Sequence, residues 1–295
     1  MKRNTMKKAL LAGLSATLLF SVIAPAQAED QKVLAIIDSA INSNNFPSII
    51  YEACFTTVKS KIVSQNMSCP NGELFMEGKG SASAPWPSAV NNATYHGDSM
   101  VKSALTVNPE LKIVFVRFND VTSIGNSRGD AKALAQAIDW VSKNASKYSI
   151  DALSISQSSV SAGNLALCST DTVTINAVAS LTSSNIPVFV ATGNDKRRDV
   201  VGFPSCVSGV IGVGALGNAT QLETATNTGP GLDMVAPGKV SITKYNGSPL
   251  DTAGSSVATV VSAASYVNRN TFKTFVEYLN ALPKILIGTA TYIRN

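Results

Sequence analysis

Val33-Leu34-Ala35-Ile36-Ile37-Asp38-Ser39 runs five apolar residues, three of them β-branched, straight into an acid and a hydroxyl. A strand without alternating polar residues has no solvent face, so it belongs inside a sheet covered on both sides. The same signature recurs at 113–118, 152–155, 187–191 and 210–213. Longer amphipathic stretches separate these runs. In 128–145, Ala131, Leu134, Ala135, Ile138, Val141 and Ala145 recur at three- or four-residue spacing, which predicts a helix with one broad apolar face. Residues 173–181 read as a second helix. Strands alternating with helices predict an α/β fold of three layers, a mostly parallel central sheet flanked by helices. Ligands in such folds gather beyond the carboxyl ends of the strands. The polar residues just after the apolar runs are therefore where chemistry is to be sought. The stretch 42–93, with Cys54, Cys69, Pro70, Gly72 and Ser-Ala-Ser-Ala-Pro-Trp-Pro at 81–87, reads as an irregular surface insertion with one helix at 47–60.

Of the 295 residues, 45% are hydrophobic and 15% charged, which suits a packed core and argues against disordered or coiled-coil classes. The net charge is +5, but Lys2, Arg3, Lys7 and Lys8 lie in the first 28 residues, where no acid occurs. Without that segment 20 basic residues face 19 acidic ones, so the electrostatic case for a nucleic-acid partner is lost. Residues 1–28 have a basic start, an apolar stretch at 9–24 and Ala26-Gln27-Ala28, the order of a cleaved secretory signal. Cleavage after Ala28 leaves residues 29–295 as one domain, secreted or periplasmic, monomeric and without a stable membrane anchor. Four cysteines in an exported chain are expected to pair. Three pairings are open, and the one expected joins Cys54 to Cys69 and Cys168 to Cys206.

The sequence holds one histidine, His96 in Tyr95-His96-Gly97-Asp98-Ser99. An unperturbed imidazole titrates near neutrality, which makes His96 the obvious general base. Three strand or helix ends offer it companions. The first apolar run ends in Asp38, a carboxylate able to accept the imidazole N–H. The run 187–191 leads to Gly193-Asn194-Asp195, an amide donor. Late in the chain, Gly254-Ser255-Ser256-Val257-Ala258 places a serine at the start of a small-residue helix, where free backbone N–H groups favour developing negative charge.

Together these residues resemble the subtilisin-like serine proteases, the subtilase family. The family's Asp-Ser/Thr-Gly block is matched by Asp38-Ser39-Ala40 and its His-Gly-Thr-His block by His96-Gly97-Asp98-Ser99. Its Ala-Ala-Gly-Asn block is matched by Ala191-Thr192-Gly193-Asn194, and its Gly-Thr-Ser-Met-Ala block by Gly254-Ser255-Ser256-Val257-Ala258. Four blocks in this order, with 58, 98 and 62 residues between their polar members, are specific where each alone is not. The order also differs from chymotrypsin-like enzymes and α/β-hydrolases. The resemblance implies a subtilisin-like fold and a serine endopeptidase acting on peptides or proteins through an acyl-enzyme. Ser256 would be its nucleophile, His96 its general base, Asp38 the orienting acid and Asn194 the oxyanion donor. A subtilase-like binding or inhibitory protein with impaired turnover is the alternative.

The resemblance further implies a substrate-pairing edge at Ser154, Ser156, Gln157 and Ser158, where Gln157, Ser158 and Ser159 replace the usual Leu, Gly and Gly. Ala40, Ser99 and Val260 replace a usual Gly, His and Pro. Nine residues, 29–37, precede Asp38 after the expected cleavage, so no prodomain is expected. No cofactor is expected. Structural calcium accompanies many subtilases, but the acidic residues lack a loop-like spacing and no metal ligand is assigned. Gly212-Val213-Gly214-Ala215-Leu216-Gly217 has dinucleotide-loop spacing without a following apolar helix, and is discounted. Lys196-Arg197-Arg198 reads as a solvated loop.

Overall fold

A computed structural model describes residues 31–59, 68–83, 96–121, 127–244, 246–269, 272, 274–287 and 290–294. The 1–28 segment, with its expected signal, lies outside the described residues. In chain order the strands are β1 (Val33–Asp38), β2 (Ile49–Phe55), β3 (Phe75–Glu77), β4 (Lys112–Arg117), β5 (Asn119–Val121), β6 (Ser127–Gly129), β7 (Ala152–Ile155) and β8 (Val188–Ala191). They continue with β9 (Ile211–Leu216), β10 (Met234–Pro237), β11 (Lys239–Thr243), β12 (Pro249–Ala253), β13 (Lys284–Ile287) and β14 (Ala290–Arg294). The helices are α1 (His96–Val107), α2 (Ala131–Asn144), α3 (Ala162–Thr170), α4 (Thr172–Ser183), α5 (Ser255–Asn268) and α6 (Phe275–Ala281).

Ten strands form one sheet in the order β13-β14-β10-β9-β8-β7-β1-β4-β2-β3. From β14 across to β2 every neighbouring pair is parallel, and only β13 and β3 at the two edges run antiparallel. Every β1 residue is buried, as its unbroken apolar run requires.

The two-residue period of a strand divides β1 between two cores. Leu34 and Ile36 pack with Met100, Val101 and Ala104 of α1 and with Val257, Val260 and Ala264 of α5. Val33, Ala35 and Ile37 pack with Ala133, Leu134 and Ile138 of α2 and with Val178 and Leu181 of α4. Asp38 continues the even series, so alternation turns its carboxylate toward α1 and α5. These are the helices that begin at His96 and Ser255. Asp130 caps α2, its Oδ1 accepting the Lys132 and Ala133 N–H groups at 2.8 and 3.3 Å. Asp171 caps α4 in the same manner.

The segment 42–93 differs from the expectation. The helix expected at 47–60 is instead β2, which pairs with β4 and extends the main sheet, with β3 beyond it. Ile49, Ile50 and Tyr51 supply strand propensity. Glu52, inside this strand, is reconciled to burial because its two carboxylate oxygens accept the N–H groups of Gly80 and Ala82 at 2.9 and 3.0 Å. Residues 60–67 and 84–95 lie outside the described residues. Disulfides join Cys54 to Cys69 and Cys168 to Cys206.

Candidate active site

Asp38 ends β1 fully buried, and its Oδ1 accepts the Ser39 N–H at 2.6 Å. His96 opens α1, and its Nδ1 lies 2.7 Å from the same oxygen. A carboxylate can only accept there, so Nδ1 carries the proton and Nε2 is left as the basic nitrogen. The first turn of α1 is stitched to the loop after β1 by two further bonds. Ser39 Oγ accepts the Gly97 N–H at 3.0 Å, and Asp98 Oδ1 accepts the Asn42 N–H at 2.9 Å. The approach is too close for any side chain at Gly97, where a Cβ would lie 2.8 Å from the carbonyl oxygens of Ser39 and Ala40. Burial pulls the imidazole pKa down, but the charge of Asp38 and its hydrogen bond outweigh this and leave it above the ordinary value. The His96 side chain is nonetheless 39% exposed.

Gly254 precedes α5 with φ +117° and ψ −178°, a conformation that suits only glycine. Two bonds fix the helix start to the end of β8. The Ser255 N–H donates to Asn194 Oδ1 at 3.0 Å, and the Gly193 N–H donates to Ser255 Oγ at 3.2 Å. Because its oxygen is used, Asn194 keeps its NH₂ as a donor. Ser256 Oγ donates to Ser156 O at 3.0 Å, and Ser156 Oγ donates back to Ser256 O at 3.0 Å. The Ser256 hydroxyl is therefore held at the helix N-terminus but directed at Ser156, with no bond to His96.

Among the expected cleft residues, Ser156, Gln157 and Ser158 follow β7 and lie beside the segment Thr192 to Asn194 that follows β8, with Ser158 Oγ donating to Thr192 O at 3.1 Å. Ser154 does not belong there. It is fully buried in the middle of the sheet, with β1 paired on one side and β8 on the other, so it has neither an exposed side chain nor a free backbone edge. Ser158 also lines a cavity of about 220 Å³, together with Phe118, Leu134, Gln157, Ser159, Asn164 and Phe203. Two residues not singled out in the sequence also shape the site. Buried Asn227 accepts the Asp195 and Arg197 N–H groups at 2.8 and 3.1 Å and donates to Thr192 O at 3.1 Å, which sets the loop carrying Asn194. Arg117, fully buried, is the register partner of Asp38 on β4, and its Nη1 donates to Ser83 O at 3.0 Å. A lone cation inside the apolar run 113–118 was its signal.

Comparison with known proteins bears on this arrangement. A family model described as the subtilase family matches residues 30–275. The chain belongs to the subtilase family. It is 27% identical over 187 residues to the minor extracellular protease Epr of Bacillus subtilis (strain 168), an alignment covering 62% of this chain and 26% of that protein. It is 30% identical over 114 residues to an extracellular serine proteinase of Thermus sp. (strain Rt41A), covering 39% of this chain and 25% of that one. The aligned part thus spans about a quarter of the length of these curated relatives. A cold-adapted subtilisin-like serine proteinase of known crystal structure shares the fold with a TM-score of 0.60 at 18% identity, covering 89% of this chain and 87% of that one. A lanthipeptide protease gives 0.56 at 16% identity, covering 79% and 70%.

This subtilase carries its departures from the family blocks without disturbing the geometry above. Ala40 is fully buried beneath Gly97, Ser99 is buried in the first turn of α1, and Val260 packs inside α5. The loop after Asn194 is less free than its charges suggest. Arg197 makes a two-pronged bond to Asp199 at 2.9 and 2.8 Å, and Arg198 donates to the carbonyls of Thr226 and Thr224, both at 2.9 Å. Gly212 and Gly214 lie inside β9, where a Cβ on Gly212 would strike Gly231 O. Those glycines serve close packing of the backbone. Among the described residues no three His, Cys, Asp or Glu side chains gather as a metal site. No described helix is long and apolar enough to cross a membrane.

Proposed function

We propose that the protein is an exported serine endopeptidase in which Ser256 is the nucleophile, His96 the general base and then acid, and Asp38 the group that holds the imidazole. What supports this reading above all is the 2.7 Å contact between Asp38 and His96 at the start of α1, a helix that packs in the same core as α5, whose first turn carries Ser256. In the proposed reaction the Ser256 hydroxyl leaves Ser156 O, turns to His96 Nε2 and gives up its proton as Oγ attacks the substrate carbonyl. The negative charge on the carbonyl oxygen is received by the Asn194 NH₂ and the Ser256 N–H, both fixed beforehand. The imidazolium, stabilised by Asp38, then protonates the departing amine. Water, deprotonated by the same ring, releases the acid product and restores Ser256. The basic and apolar order of residues 1–28, two disulfides and the extracellular relatives support secretion or periplasmic residence.

The bond from Ser256 to Ser156 favours one second reading, a subtilase scaffold that binds peptides with the serine idle. The two separate on the 29–295 protein. An active enzyme labels at Ser256 with a fluorophosphonate and cleaves a mixed peptide library, and Ser256→Ala lowers that rate by at least about three orders of magnitude. Equal rates for the two proteins, with the fold intact, would sink the peptidase reading.

A further inference from the structure

The crevice between the ends of β7 and β8 is where a bound acyl group lies if Ser256 acts as proposed, and the role of Ser158 within it depends on that reading. Ser256 Oγ and Ser156 O meet at its mouth, 3.0 Å apart. Asn194 forms the opposite side through its bond to the Ser255 N–H. On that reading, a carbonyl held at Ser256 with its oxygen toward the Asn194 NH₂ would set the side chain of its own residue against the 156–159 and 192–194 segments.

That gap is closed at depth by protein. The carbonyl of Thr192 accepts three hydrogen bonds, from the Gly202 N–H at 3.0 Å, from Ser158 Oγ at 3.1 Å and from Asn227 Nδ2 at 3.1 Å. The Ser158 hydroxyl thus ties one side of the crevice to the other. It also rests directly on the backbone beneath. A Cβ built on Gly202 would lie 2.2 Å from Ser158 Oγ, and one built on Gly193 would lie 3.0 Å from the same atom. The space between Ser158 and Gly202 therefore does not admit even a methyl group. Nor is the side carrying Ser158 free to swing away. Ser159 and Phe203 exchange two backbone hydrogen bonds, at 3.0 and 2.9 Å, immediately beyond it.

We propose that Ser158 determines specificity by occupying the slot for the side chain that precedes the scissile bond, so that this protein cleaves after glycine or alanine and rejects large residues there. A hydroxymethyl group at 158 displaces what a glycine leaves open. The hydrogen bond to Thr192 holds it in place, and expelling it costs that bond as well as moving a side chain.

The test uses peptides identical except for alanine or phenylalanine before the scissile bond. The wild-type 29–295 protein is expected to favour the alanine peptide in kcat/KM by at least about tenfold. Ser158→Gly is expected to shift that ratio toward phenylalanine by at least about tenfold, and Ser158→Val, which enlarges the obstruction, to shift it the other way. Equal cleavage of both peptides by wild type, or a ratio unmoved by both variants, overturns the proposal. The slot is also read without turnover, by calorimetry of Ser256→Ala and Ser256→Ala/Ser158→Gly with acetylated product peptides ending in alanine or phenylalanine. A preference for the alanine acid that Ser158→Gly removes sustains the slot, even where wild type hydrolyses nothing and the peptidase reading has fallen. Absence of any such preference overturns the slot while hydrolysis stands or falls by itself.

Discussion

Asp38 is sealed from solvent, its Oδ1 shared by the Ser39 N–H and His96 Nδ1, while Oδ2 faces no hydrogen-bond donor among the described residues. A carboxylate in that state acts mainly on the imidazole beside it. Burial lowers the His96 pKa, and the charge and hydrogen bond of Asp38 raise it by more. A general base works only when neutral, so the acid limb of kcat/KM should lie above the usual imidazole value of about 6.5. Asp38→Asn should move that limb down and reduce kcat by about four orders of magnitude, because the ring loses both its held tautomer and its counter-charge. A wild-type limb at or below about 6.5 would count against the assignment of His96 as base. The sign for stability runs the same way. With the folded pKa raised, the pair's contribution is fully present below about pH 6.5 and is lost as pH rises through the folded value. The corresponding slope in Tm against pH should vanish in Asp38→Asn.

At the scale of the element, the site depends on how β8 and α5 are joined. Gly254 has φ +117°, and a Cβ there would lie 3.1 Å from Asn194 Nδ2 and 3.2 Å from its Oδ1. Gly254→Ala should therefore lower stability by about 1–3 kcal/mol through backbone strain. It should also lower kcat, by displacing the amide that receives the oxyanion. Asn194→Ala separates these effects, reducing kcat by about two to three orders of magnitude with little change in Tm. A Gly254→Ala protein that loses stability but keeps full kcat would show that the close contact with Asn194 does not matter to turnover. The strand ends that carry Asp38 and Asn194 were legible because buried parallel strands are unbroken apolar runs, and the first polar residue marks their end. Parity does not separate Ser154 from Ser156, which shares its even register; Ser154 is set apart because it lies within the strand, paired on both sides. The strand at β2 was hidden for a different reason. Glu52 puts a charge inside it, and the partners that let that charge be buried, at Gly80 and Ala82, lie 28 and 30 residues further along the chain. The plug at Ser158 was equally out of reach. The sequence shows a serine where glycine is usual, but only the fold shows that Thr192 and Gly202 surround it.

Across the whole molecule the two disulfides act in different places, one at the sheet and one between a helix and a loop. Cys54–Cys69 closes 15 residues at the β2 edge, away from the cleft, and Cys168–Cys206 closes 38, joining α3 to the chain just after Phe203. By chain entropy alone, opening them should lower stability by roughly 3 and 4 kcal/mol respectively. Their effects on the cleft should differ in kind. Phe203 is bonded through its backbone to Ser159, so the second disulfide anchors the side of the crevice that carries Ser158. Replacing Cys168 and Cys206 together with serine should raise KM and weaken the discrimination against large residues before the scissile bond, at temperatures where the protein remains folded. Replacing Cys54 and Cys69 together should lower Tm and leave KM and that discrimination as they were. The comparison requires thermal unfolding curves and kcat/KM for alanine and phenylalanine peptides on both double variants. If both variants keep wild-type discrimination, the Ser159–Phe203 contact is rigid without the covalent link, and the crevice is held by hydrogen bonds and core packing alone.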